Sequence, residues 1–124
     1  MTRWLVDGMN VIGQRPDGWW RDRRAAMRSL ASKLAAFATE TGERVAVVYD
    51  GRPFDLEAPP VEIGFAPARG PNAADDEIAR RVAEDADPGT LKVVTSDREL
   101  ARRVGDHGAE VVSSGAFRGR LDGL

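Results

Sequence analysis

Trp4-Leu5-Val6-Asp7-Gly8-Met9-Asn10-Val11-Ile12 runs three apolar residues straight into an aspartate, a glycine and, three positions past the aspartate, an asparagine. An apolar run that stops at Asp-Gly reads as a buried strand, residues 3–7. Its carboxylate is delivered to a sheet edge, where the chain must turn. The pattern recurs. Arg44-Val45-Ala46-Val47-Val48-Tyr49-Asp50-Gly51 is a second apolar run closed by Asp-Gly, and Leu91-Lys92-Val93-Val94-Thr95 is a third, leading into Ser96-Asp97.

Working outward, residues 8–18, with Gly13, Pro16 and Gly18, are expected to be loop. A long helix is expected from Trp19, because Trp20, Met27, Leu30, Leu34 and Phe37 share one helical face. That stripe places Trp20 in the core, and Gly42 ends the helix. Residues 51–60 read as loop. Val61, Ile63 and Phe65 alternate with Glu62 and Gly64, the pattern of a half-exposed edge strand, and the short connection before it leaves its direction open. Asn72 is the expected N-cap of a helix from Ala73 to about Asp85. Ser96 and Glu99 have capping-box spacing at the head of a helix that ends near Gly105 to Gly108. Ala109 to Val112 is a last strand, and residues 113–124 are a short tail. Strands alternating with helices indicate an α/β domain with a mostly parallel sheet. Ligands of such sheets bind outside the carboxyl ends of the strands, where Asp7, Asp50 and Asp97 fall.

The 124 residues suit one domain with one core, and 42% hydrophobic with 31% charged residues is ordinary for a globular chain. The absence of cysteine excludes disulfides, thiolate zinc sites and cysteine nucleophiles. Net charge is -2, so there is no global basic field. Arginine dominates the 18 basic residues, a bias that a GC-rich genome produces and that also suits phosphate recognition. The single histidine, His107 beside Gly108, reads as a helix C-terminal residue, which argues against a histidine base. No apolar run approaches the roughly 20 residues that span a membrane. The N-terminus lacks the apolar core of a signal peptide, so a cytoplasmic location is expected.

Carboxylates gathered at one edge repel one another, and a hard divalent cation such as Mg2+ or Mn2+ removes the repulsion. The helix opening at Asn72 offers a fourth acid. Asp75 continues the stripe of Ile78 and Val82, whereas Asp76 is about 100° round the helix. Asp75 is therefore the expected inward carboxylate and Asp76 the second. Both, with Glu77, also suit the helix dipole. Asn10 is expected either to orient Asp7 or to cap a local turn, and Ser96 to orient Asp97, reach a phosphate or simply cap. Arg52, Arg69 and Arg98 are candidate phosphate contacts, and Trp19 or Trp20 a surface for an unpaired base, with core packing preferred for Trp20.

Val6-Asp7-Gly8-Met9-Asn10-Val11-Ile12, Val48-Tyr49-Asp50-Gly51, Ala74-Asp75-Asp76-Glu77-Ile78 and Val94-Thr95-Ser96-Asp97 together resemble the NYN domain, most of all its YacP-like branch within the PIN-like nucleases. The resemblance covers roughly residues 3 to 117. It implies a Rossmann-like three-layer fold with sheet order 3-2-1-4-5 and a divalent metal at an acidic pocket. It also implies endoribonuclease activity in RNA processing or on the translating ribosome. Carried over, the acidic set is Asp7, Asp50, Asp75 and Asp97, with Asn10 beside the first. Met9 departs from the aromatic residue usual in the family, and the family generally carries a longer C-terminal extension. Two rival readings are a non-catalytic RNA- or ribosome-binding module and a receiver-type phosphoacceptor. Gly8 and the lack of any lysine after Lys92 count against the second.

Overall fold

The computed structural model describes residues 1–67 and 70–124. Five strands, β1 (Arg3–Asp7), β2 (Arg44–Tyr49), β3 (Glu62–Phe65), β4 (Leu91–Val94) and β5 (Glu110–Val112), form one parallel sheet. Its order is β3-β2-β1-β4-β5, the order the resemblance implies. β3 pairs parallel with β2, which closes the question of its direction.

Helices cover both faces: α1 (Gly8–Ile12), α2 (Arg23–Thr41), α3 (Ala73–Glu84), α4 (Arg98–Gly105) and α5 (Ser114–Asp122). Successive strand residues point to opposite faces. Trp4, Val6, Val45, Val47 and Tyr49 accordingly pack with Leu30, Leu34 and Phe37 of α2 and Phe117 of α5. Leu5, Val48 and Val93 pack with Ile78 and Val82 of α3 and Leu100 and Val104 of α4. The period of two puts Asp7 on the face of Leu5, toward α3. Among the described residues no helix is long and apolar enough to cross a membrane.

Three stretches differ from the sequence reading. Residues 8–12 form a helical turn rather than loop, and the Arg118 guanidinium of α5 donates to the Val11 and Ile12 carbonyls at its end (3.1 and 3.0 Å). The long helix begins at Arg23, not Trp19. Asp22 leaves helical geometry and its carboxylate accepts from the Ala25 N–H, so Trp19–Arg21 is a separate 3-10 turn. That break changes the helical phase, and Trp20, expected in the core, is 52% exposed. The tail is also a helix. Ser113 caps it, and Phe117 and Leu121 are buried in the core that faces α2.

At the N-terminal end of the sheet, the Arg3 guanidinium donates to both oxygens of Asp85 (2.8 and 2.9 Å) and to the Asp87 carbonyl (2.8 Å). Asp85 is held down to about 2, chiefly by Arg3. Its pKa is depressed from 3.8 in the folded state, so its contribution to stability is present above about pH 4 and is lost as pH falls toward 2. Asp85→Asn is expected to lower unfolding stability by about 1 kcal/mol at pH 7, a value discounted for solvent screening. Urea melts should show that difference closing between pH 4 and 2.

Candidate active site

Parallel register brings the strand ends together. Asp7 lies opposite Val48, so Asp50 stands two residues further on, just past the end of β2. Val6 lies opposite Val94, so the next residue of the β4 chain, Thr95, stands beside Asp7. The Thr95 hydroxyl donates to Asp7 Oδ2 (2.9 Å) and accepts from the Asp97 N–H (3.1 Å). Gly8 turns the chain at once into α1 where a side chain has no room: a Cβ would lie 2.5 Å from the Tyr49 ring. That ring is fully buried, and its hydroxyl donates to the Met27 carbonyl (2.8 Å).

Asp7 is buried, and burial pushes its carboxyl up to about 7. Thr95 and the Asn10 backbone N–H pull it down, while Asp75 and Asp50 push it further up. The Asp75 carboxyl is likewise raised by burial, then by Asp97 and Asp50, against the pull of Arg103. The four aspartates therefore repel one another across one edge. None of the four forms an ion pair among the described residues.

Two of these carboxylates also finish helices. Asp50 Oδ1 accepts from the Ala74 N–H (3.2 Å). This is the bond expected of Asn72, whose own side chain makes no capping bond. Gly51 follows with φ 98°, a left-handed turn that favours glycine and leaves Asp50 facing α3. Asp97 Oδ1 accepts from the Leu100 N–H (2.9 Å), so Asp97 and not Ser96 caps α4. As the side chains stand, no three acids among the described residues converge closely enough to grip one ion. Each cap nonetheless occupies only Oδ1 and leaves Oδ2. Hard oxygen donors around a buried, repelled Asp7 fit a divalent cation of the Mg2+ or Mn2+ kind.

The remaining candidates separate clearly. Asp76 is exposed and accepts from the Arg103 guanidinium (2.9 Å), and its charge adds only the last push on Asp75. The Asn10 side chain does not reach Asp7. Its Oδ1 accepts from the Ser96 N–H (2.9 Å) and the Ser114 hydroxyl (2.6 Å). Ser96 Oγ accepts from the Ser114 N–H (2.9 Å), which closes a ring of three polar residues at the rim. Arg52 lines a cleft of about 540 Å3 with Asp50 and Arg23. Arg98 is exposed at the start of α4, and Arg69 lies outside the described residues. His107 is exposed beyond the far end of α4, away from the acids. A cavity of about 580 Å3, lined by Arg3, Arg44 and Arg81 among others, opens at the opposite end of the sheet and contains none of the four aspartates.

Sequence reading did not single out Thr95, Ser114 or Arg23. Thr95 had a signal, a hydroxyl closing an apolar run one residue before Ser96. Ser114 had none, because its partners lie far away in the chain.

The YacP-like NYN domain profile matches residues 4–123. Two crystal structures of Rae1 (YacP) from Bacillus subtilis superpose on the chain. The W164L mutant does so with a TM-score of 0.81 at 28% identity, over 99% of this chain and 76% of that one. The protein without that substitution gives 0.77 at 28% identity, over 99% and 75%. No curated protein sequence matches the chain.

Proposed function

The chain belongs to the YacP-like NYN family of PIN-like nucleases, and from that premise we propose that it is a divalent-metal-dependent endoribonuclease. The observation that carries the reading is Asp7, a buried carboxylate pressed by Asp75 and Asp50 and paired with no cation among the described residues. Such a group is costly to the fold on its own and becomes useful when an ion sits beside it.

Asp7, Asp50, Asp75 and Asp97 would hold Mg2+ or Mn2+. When bound, the ion lowers the pKa of water and offsets charge on a phosphoryl oxygen. The chain supplies the rest. Thr95 fixes one oxygen of Asp7 and the backbone of Asp97, so the acids of two strands keep one spacing. The Asn10–Ser96–Ser114 ring holds the rim beside Asp97. Arg52 and Arg98, one on each side, take phosphates of a single-stranded RNA in the cytoplasm. With His107 remote, no imidazole serves as base.

Cleavage of single-stranded RNA in manganese is expected to stop in EDTA and return when manganese is restored in excess, as read on a denaturing gel. Cleavage indifferent to EDTA overturns the metal. RNA that is bound but never cut with either ion favours the non-catalytic module. Running the same RNA free and on ribosomes separates general processing from decay during translation.

A further inference from the structure

The basic residues around the acid edge are not equivalent. On the α3 and α4 side they are mostly neutralised: Arg103 by Asp76, and Arg102 by Glu99 and Asp106. Arg98 is the exception there. On the α2 and β2 side, Arg21, Arg23 and Arg52 form no ion pair among the described residues. Arg24 and Arg28 lie over the Phe54 ring (4.8 and 5.0 Å), which ties the segment after Arg52 to α2. Arg23 and Arg52 thereby line one cleft with Asp50. Three residues before Arg23, at most about 11 Å of chain, is Trp20. Its indole is 52% exposed. Trp19, half-buried against the core, holds it edge-on at 5.9 Å. A large exposed aromatic next to unpaired guanidiniums matches the two surfaces of a single-stranded nucleic acid, π-faces and phosphates.

We infer that Trp20 and Arg23 form a subsite for single-stranded RNA beside the acid cluster, Arg23 and Arg52 taking a backbone phosphate in the cleft next to Asp50 and Trp20 stacking a neighbouring base. The inference rests on the ribonuclease reading and gives it a direction, since the strand leaves the acids over α2 rather than over α4. The neutralised α4 flank offers phosphates less.

The test is fluorescence anisotropy of a labelled single-stranded oligoribonucleotide, with EDTA present to prevent cleavage, alongside a duplex of the same sequence. Trp20→Ala should weaken single-strand binding about tenfold and duplex binding far less, because paired bases offer no face. Trp20→Phe should recover most of the loss. Arg23→Gln should weaken binding to both and reduce the log–log salt slope on the single strand by about 0.7, the loss of one phosphate contact. Melting temperatures check that each variant is folded, as exposed positions predict. Variants that bind like the parent overturn the subsite, and so does a Trp20→Ala loss equal on duplex and single strand. If these losses appear but no RNA is ever cut in manganese, the subsite stands and the catalytic reading falls. A parent that binds no RNA overturns both.

Discussion

Asp7→Asn protein is expected to cut RNA on the order of a hundredfold to a thousandfold more slowly than the parent, the scale on which one well-placed electrostatic group acts. The amide keeps the shape of the side chain and can still accept from the Thr95 hydroxyl, so the loss reports charge rather than collapse. The same substitution should stabilise the chelated protein. The Asp7 carboxyl is raised from 3.8 to about 7 by burial and by its acidic neighbours. A carboxyl raised on folding supports the native state fully below its unfolded value, near pH 4, and loses that support as pH rises through about 7. In EDTA, the melting-temperature advantage of Asp7→Asn should therefore be small near pH 4.5 and widest near pH 8. There it corresponds to at most about 4 kcal/mol. Manganese at pH 8 should narrow the gap by stabilising the parent. An Asp7→Asn protein that cuts like the parent would remove Asp7 from the mechanism, whatever its stability.

The second large effect is on the fold. Gly8→Ala should destabilise by about 3 kcal/mol or more, above the usual range for overpacking, because both near neighbours are rigid. A methyl would meet Tyr49 Cδ1 and Cε1 at 2.5 Å and Val47 Cγ2 at 3.0 Å. Tyr49 is fully buried and fixed by its bond to the Met27 carbonyl, so the ring has nowhere to move. Chemical denaturation should show a lower midpoint with an unchanged slope. Gly51→Ala is the informative contrast. Nothing lies near a Cβ there, and its cost comes only from φ 98°.

These two residues mark what was legible in the sequence. The strands announced themselves because a central parallel strand is apolar on both faces, and Val47 and Val93 sit in runs that leave little else to be. The common edge followed from the same runs ending at Asp7, Asp50 and Asp97. Failures came where a local signal competed with a distant one. Trp20 fits the α2 stripe by spacing, but Asp22 satisfies the first N–H groups of a helix starting later. Residues 113–124 carry Gly115 and Gly119, poor helix formers, and become helical because Phe117 and Leu121 bury against α2. Ser96 has capping-box spacing, yet Asp97 takes the cap and leaves Ser96 to Asn10 and Ser114. Asn72 loses its cap to Asp50, which stands 24 positions before the Ala74 N–H it takes. Spacing reads neighbours along a helix or strand and does not read partners that only the fold introduces.

The ring of Asn10, Ser96 and Ser114 joins the beginning of the chain to its end, with 104 positions between Asn10 and Ser114. A chain still being synthesised holds the aspartates of its first strands long before Ser114 leaves the ribosome. Until then the rim beside Asp97 is incomplete and α5 is missing from the core. The order of synthesis thus delays closure of that rim until α5 has emerged.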